Sequence, residues 1–331
     1  MTGRIFTAGS LLGGVPTSLF SPASPQARSV YDLFMLTSGV MLAIMFFLCA
    51  WIVYILVHYR ARPGETEDPV PVYGNKKLEI IWTLIPLAIV TVFTILMVPT
   101  IFKTHAEPDG RAPDITVIAH QWWWEVRYPD GVVTANEVHL PVGRPVLLAL
   151  RTADVIHDFW VPRLGPKQDM LPGQTNYLWL QPDHPGIYDG TCAEYCGTDH
   201  GWMRIRVIAQ TQADFDSWET AQLHPQMPDS SALAQEGGQI FTRSTCTNCH
   251  ALVDAPKVAA NLAHHVTIAP SLNDLGDRET LGAGTLDNSP ENLAKWLKDP
   301  QACKPGSNMP DFHFSDEEVR ALTAYLWRKS H

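Results

Sequence analysis

Cys192-Ala-Glu194-Tyr-Cys196-Gly-Thr-Asp-His200-Gly-Trp-Met203 gathers two thiols, an imidazole and a thioether within twelve residues. Soft sulfur ligands of this kind favour copper, and a weak methionine ligand is typical of copper electron-transfer sites. A single blue-copper ion needs one cysteine. Two cysteines on one turn of chain can bridge two coppers, which delocalises the electron and lowers the reorganisation on transfer. A second imidazole is then needed, and Val155-Ile-His157-Asp-Phe-Trp160-Val-Pro162 supplies one upstream. A Cys192–Cys196 disulfide and a structural zinc are the alternatives, although zinc rarely recruits methionine. Working outward, Asp114 to Gln210 reads as β structure. Ile115 to Tyr128 is rich in β-branched and aromatic residues and runs into the turn signal Pro129-Asp-Gly. Val138–Leu140, Val146–Leu150, Tyr177–Leu180 and Met203–Ala209 are further strands, with Pro and Gly between them. Many short strands so punctuated predict a sandwich or small barrel.

A second motif follows at Cys246-Thr-Asn-Cys249-His250. Two thiols at this spacing can form thioether bonds with the vinyl groups of a c-type haem while the adjacent imidazole reaches the iron. A redox dithiol or a zinc pair is the alternative. The hundred or so residues from Ala232 to His331 look helical at both ends. The last helix opens on Ser315-Asp-Glu-Glu318, a capping box, with Val319, Leu322 and Leu326 along one face. Thr211 to about Ser231, polar and containing Pro225 and Pro228, reads as a linker.

Toward the N-terminus, Leu33–Val57 and Ile80–Phe102 are charge-free apolar runs of 25 and 23 residues. Each is long enough as a helix to cross a hydrocarbon core of about 30 Å, so the pair reads as a transmembrane hairpin. Pro86 and Pro99 are compatible with a spanning helix. The connecting loop carries Arg60, Arg62, Lys76 and Lys77, against Arg4 and Arg28 before the first span. The positive-inside rule places that loop in the cytoplasm and both termini outside. Leu11–Val15 is too short for a convincing signal core.

Charge narrows the partners. The formal net charge is −10, and 18 basic against 29 acidic residues from Lys103 onward give the exported part −11. Such a surface argues against nucleic acid and suits a basic protein partner. Of the six cysteines, Cys49 sits in the first apolar run as a small hydrophobe and Cys303 is isolated, without an assigned role.

The pattern C-x-E-x-C-x-x-x-H-x-x-M after V-x-H-x-F-x-V-P resembles subunit II of haem–copper cytochrome c oxidases, from the first apolar run to about Gln210 and including Leu78-Glu-Ile-Ile-Trp-Thr-Leu-Ile-Pro86. The resemblance implies a cupredoxin fold with a binuclear copper centre, CuA. His157, Cys192, Cys196, His200 and Met203 would be ligands through their side chains and Glu194 through its backbone carbonyl. It also implies a magnesium site shared with subunit I through the Glu194 carboxylate. Trp122 matches the family's tryptophan at the electron-input surface, with a core aromatic as the other account. Glu79 matches a carboxylate near a proton-uptake path, with a snorkelling side chain at a helix end as the other account. The run Trp122-Trp-Trp124 and Asp158 after His157 depart from the family's usual residues. The C-terminal part resembles a class I cytochrome c: Gly237 and Phe241 would face Leu322 and Tyr325 across crossing helices, and Met309-Pro310 matches the sixth haem ligand, with His264, His265 and His313 as rivals.

Together these resemblances imply a caa-type oxidase subunit II with a fused cytochrome c. The expected architecture is multidomain: an exported segment 1–29, a transmembrane α-hairpin 30–105, a β-sandwich cupredoxin domain 106–212, a linker 213–231 and an all-α class I cytochrome c domain 232–331. Electrons would arrive from an external donor, a cytochrome c or a quinol–cytochrome c reductase, and pass from haem to CuA to subunit I, with subunit III and membrane lipid as neighbours. Subunit I would reduce oxygen and pump protons; no residues for oxygen reduction are visible in this chain. A CuA-containing nitric oxide reductase subunit and a membrane-anchored copper protein without turnover are the rivals.

Overall fold

With no water to bond to, the backbone of an apolar run must satisfy itself, and both runs are helical. In the computed structural model α1 is Pro25–His58 and α2 is Lys76–Thr104, with Pro86 and Pro99 inside α2. Asn75 opens α2, its side-chain oxygen accepting from the amides of Lys77 and Leu78 at 3.1 and 3.3 Å. The threonine hydroxyls along α2 donate back to carbonyls one turn earlier, as Thr91 does to Leu87 and Thr94 to Val90, so no hydroxyl there is presented bare. The structure describes residues 18–60, 64, 71, 73–105, 110–224, 227, 229–252 and 268–328. Arg4, Leu11–Val15, Arg62, Pro225, Pro228, His264 and His265 lie outside the described residues.

Among the described residues, those within 28–104 form one compact unit, and 18–27 with those from 105 onward form another. The second unit holds a sandwich of two five-stranded sheets. Its strands are β1 (Ile115–His120), β2 (Trp123–Arg127), β3 (Val133–Ala135), β4 (Glu137–Pro141), β5 (Val146–Thr152), β6 (His157–Trp160), β7 (Gln168–Met170), β8 (Asn176–Leu180), β9 (Gly186–Cys192) and β10 (Arg204–Gln210). The sheet orders are β3-β2-β1-β5-β8 and β4-β10-β9-β6-β7. Inward-facing Val117, Trp124, Leu148, Phe159 and Val207 meet between the sheets, all fully buried. The segment before α1 is stitched to the same sandwich: the Ala23 amide donates to the Arg163 carbonyl at 2.8 Å and the Ser24 hydroxyl to the Leu164 carbonyl at 2.6 Å.

Two sequence expectations change here. Ile115–Tyr128 is not one strand but an antiparallel pair, with His120 opposite Trp123. The reversal falls on Gln121-Trp122, which carries no glycine, proline or asparagine to announce it. The expected linker also begins as a helix, α3 (Gln212–Leu223), capped by the Thr211 side chain on the Asp214 amide. It holds to the sandwich through buried Phe215 and through Trp218, whose ring stacks on His139 at 4.0 Å. Its other faces are polar, which is why its composition imitates a linker.

The C-terminal region is built on α4 (Ala232–Arg243), α5 (Pro290–Lys298), α6 (Pro300–Cys303) and α7 (Asp316–Leu326), with one two-residue hairpin, β11 (Thr280–Leu281) and β12 (Leu286–Asp287), beside the helices. α4 and α7 cross at Gly237, where a Cβ would stand 2.0 Å from the Ala321 carbonyl oxygen; only glycine admits that approach. Phe241 and Tyr325 pack at the same crossing with ring centroids 5.6 Å apart. The capping box at Ser315 and Glu318 is formed in both directions.

Candidate functional site

In the sandwich the sulfur and imidazole donors converge at one end of β6 and β9. Cys192 Sγ lies 3.8 Å from Cys196 Sγ and 3.8 Å from His157 Nδ1. Cys196 Sγ lies 3.6 Å from His200 Nδ1 and 3.9 Å from Met203 Sδ. The Glu194 carbonyl oxygen is 3.2 Å from Cys192 Sγ, while the Glu194 side chain is exposed. The thiols are free, and a separation of 3.8 Å rules out a disulfide, which needs about 2 Å. Each sulfur therefore faces one imidazole, and the pair has a thioether on one side and a carbonyl on the other. Six donors of sulfur, imidazole and carbonyl type fit a copper pair better than a closed tetrahedral zinc site, which takes four.

His157 is aimed by a residue that sequence reasoning missed. Its Nε2 is 2.8 Å from Asp154 Oδ1, which leaves Nδ1 toward Cys192. Burial pulls the His157 pKa down, and the hydrogen bonds to Asp154 and Cys192 outweigh it, so the net shift is upward. Asp154 also accepts from the amides of Gln121 and Val155, at 2.7 Å each, so the carboxylate is itself held. Carboxylate–histidine pairs of this kind orient metal ligands. The contact between the two sulfurs lowers the Cys192 pKa and raises that of Cys196, so one thiol of the pair ionises before the other.

The C-terminal region contains a cavity of about 420 Å³ whose wall includes Cys246, Cys249, His250 and Met309. His250 Nδ1 stands 2.7 Å from the Pro270 carbonyl oxygen. A carbonyl only accepts, so Nδ1 carries the proton and the Nε2 lone pair is left for a metal. Burial lowers the His250 pKa and keeps the ring neutral, as a ligand must be. Met309 Sδ accepts from the Trp296 indole at 3.1 Å, which orients the thioether. These features fit a covalently bound haem: thiols on one wall, a neutral imidazole with a free lone pair, and an oriented thioether. His313 pairs with Asp311 at 2.9 Å on the surface and is not part of the wall. Met227 is exposed.

The two regions meet at this cavity. Gln121, Trp122 and Trp123 of the sandwich line it. The expected surface aromatic Trp122 is therefore half-buried, because the C-terminal region covers it. The Trp122 indole donates to the Cys196 carbonyl at 3.0 Å and the Gln121 side chain donates to the same oxygen at 2.7 Å. Lys304, 4% exposed, donates to the Trp122 carbonyl at 2.9 Å. Glu79 belongs to the other unit, in the first turn of α2.

Comparison with known proteins agrees with this layout. Family models described as cytochrome c oxidase subunit II transmembrane domain, cytochrome c oxidase subunit II periplasmic domain, and cytochrome c match residues 16–99, 131–210 and 234–329. The chain is 38% identical over 325 residues to a cytochrome c oxidase subunit 2 of Alkalihalophilus pseudofirmus, covering 95% of this chain and 91% of that one. The chain belongs to the cytochrome c oxidase subunit II family. It is also 36% identical over 331 residues to the cytochrome c oxidase subunit 2 of Bacillus sp. strain PS3, with 93% and 90% covered. Among solved structures, the periplasmic domain of subunit II from Bradyrhizobium japonicum matches 34% of this chain and 96% of that one, at 32% identity and a TM-score of 0.33. Membership makes this chain a two-pass membrane protein and the electron-input subunit of a haem–copper oxidase, with CuA in its cupredoxin region, haem c in its cytochrome c region and subunit I as its partner.

Proposed function

We propose that the electron passes from haem c to CuA inside this chain and then leaves to subunit I. The observation that carries the reading is the position of Trp122: the residue lines the haem cavity and its indole bonds the carbonyl of Cys196 at 3.0 Å. Cys246 and Cys249 would hold the haem as thioethers, and His250 and Met309 would hold its iron. His157, Cys192, Cys196, His200, Met203 and the Glu194 carbonyl would hold the copper pair. When bound, these groups supply the redox levels between which the electron moves. The protein's own part is to orient the ligands, through Asp154, Pro270 and Trp296, and to exclude water from the connecting wall.

Around the copper donors lies an exposed surface that includes Val155, Ile156, Tyr195 and Trp202, with the Glu194 side chain among them. Apolar surface of this kind marks a protein contact, and we assign it to subunit I. A magnesium ion shared through Glu194 would sit at that contact. Glu79 remains a candidate for the proton path. The sandwich and the cytochrome region are assigned to the outer face of the membrane. Two facts support it: the basic loop between the spans, and the hydrogen bonds of Ala23 and Ser24, just before α1, to Arg163 and Leu164 of the same exported region. A cytochrome c or its reductase is the expected donor.

Replacing Met203 or His157 tests the route. Haem reduction by the donor should persist while oxygen consumption by the assembled complex falls to a small fraction. Normal oxygen consumption would take the copper centre off the path.

A further inference from the structure

Two buried ionisable side chains cross the junction between the sandwich and the cytochrome region, one from each side. From the cytochrome side, Lys304 reaches the Trp122 carbonyl at 2.9 Å and stands 3.9 Å from Asp199 Oδ2, with Asp199 itself fully buried. From the sandwich side, Glu137, 1% exposed, accepts from the amides of Glu279 and Thr280 at 2.8 and 3.1 Å. Close backbone approaches flank each contact. A Cβ on Gly306 would lie 2.8 Å from Asp199 Oδ1, and Asn308 donates to the Gln121 carbonyl at 2.8 Å. A Cβ on Gly284 would lie 2.9 Å from the Arg204 Cβ, and the Arg204 amide donates to the Ala283 carbonyl at 3.2 Å.

Burying an ammonium or a carboxylate is unfavourable unless a partner meets it in good geometry. Lys304 and Glu137 find their partners only in one register of the two regions. A shift by one residue would take the Trp122 carbonyl away from the Lys304 ammonium and both amides away from Glu137 Oε1. Such groups contribute specificity more than net attraction. Their position shows what the register is for. Lys304 grips the backbone of the residue that separates the haem cavity from the Cys196 carbonyl, and it lies on the segment that leads to Met309.

We propose that Lys304 and Glu137 are positioning residues that lock the cytochrome region onto the sandwich in one register, so that electron transfer occurs within a docked pair and not after a search by a tethered domain. The same lock covers the Trp122 face and directs a soluble donor to the haem. The proposal rests on the haem-to-CuA route given above.

The test uses the complete oxidase with both centres loaded. An electron is injected photochemically into the haem, and haem reoxidation is timed against reduction of the copper band. The variants are Lys304→Met, Glu137→Ala and Glu137→Gln. If a broken contact leaves the docked state populated a tenth of the time, transfer slows about tenfold. Lys304→Met and Glu137→Ala should show this slowing, with haem and copper absorption and the haem potential unchanged. Their rates should also fall as solvent viscosity rises, whereas the wild-type rate should not. Glu137→Gln keeps an acceptor oxygen for both amides and should stay near wild type. A purely structural role would alter spectra or potential without viscosity dependence, and that result overturns the proposal. Wild-type rates in both Lys304→Met and Glu137→Ala overturn it too. If Lys304→Met disturbs the copper spectrum, Glu137→Ala alone decides. Failure of the wild-type haem to reduce copper at all would instead refute the route.

Discussion

The copper and haem sites of this chain are built on opposite plans. In the sandwich, the donors are already gathered: His157, Cys192, Cys196 and Met203 are between 0% and 3% exposed, and their contacts lie between 3.6 and 3.9 Å. Strands close that site, and its hydrophobic core is complete beside it. In the cytochrome region, the expected haem contacts line a cavity of about 420 Å³, with Cys249 exposed and Met309 half-buried. The first site is closed by protein and the second by its prosthetic group. The sandwich should therefore survive loss of its metal, and the helical region should not survive loss of its haem.

The sharpest way to break that comparison is to block haem attachment with Cys246→Ala and Cys249→Ala together. The apolar side chains around the cavity, Leu272, Leu293, Leu322 and Leu326 among them, would then face solvent in place of the haem, a large loss beside the marginal stability of a domain of this size. Loss of helical circular dichroism and rapid proteolysis after α3 are expected, whereas copper chelation should leave the β signal intact. A haem-free chain with a cooperative helical transition would erase the distinction.

Acid should act on the sandwich through His139. Burial, against a hydrogen bond to Gln210, lowers its pKa from 6.5 to about 4, while the ring stacks on Trp218. The fold prefers the neutral ring and the unfolded chain takes up the proton first. Its contribution is therefore complete above pH 6.5 and is lost as pH falls toward 4, by up to about 3 kcal/mol. Melting the copper region from pH 7 to pH 4.5 should show the decline, and His139→Phe, which keeps an aromatic ring against Trp218, should flatten it.

A smaller effect is expected at Asp154. With Asp154→Ala the His157 ring loses its orienting partner, and copper affinity should drop about 10- to 100-fold in competition with a chelator. An unchanged affinity would mean that the strands alone aim the imidazole, an even more closed site than described.

What the sequence disclosed follows the same division. The copper motif is legible because five of its six donors lie within twelve residues, where β9 ends and β10 begins. Cys-x-x-Cys-His is legible because thioether chemistry demands that spacing. The spans were readable from length alone, whereas Gly237 came from the resemblance to class I cytochrome c, and only the fold sets it against Ala321. Asp154 gave a weak signal, three residues before His157. Pro270, Lys304 and Glu137 gave none, since each acts on a partner far along the chain: 142 residues separate Glu137 from Glu279. The strands β3, β6, β7 and β9 escaped for a related reason, being defined by their pairing more than by their own periodicity. α3 was hidden by a polar surface that Phe215 and Trp218 alone betray.

The central claim is that the haem stands before copper on one path. Rapid mixing of the complete, oxidised oxidase with a reduced external donor, with haem and copper bands followed together, tests it most directly. The account predicts that the haem is reduced first and that copper follows as the haem reoxidises. Copper reduced ahead of the haem, or a haem that stays reduced while copper remains oxidised, would contradict it.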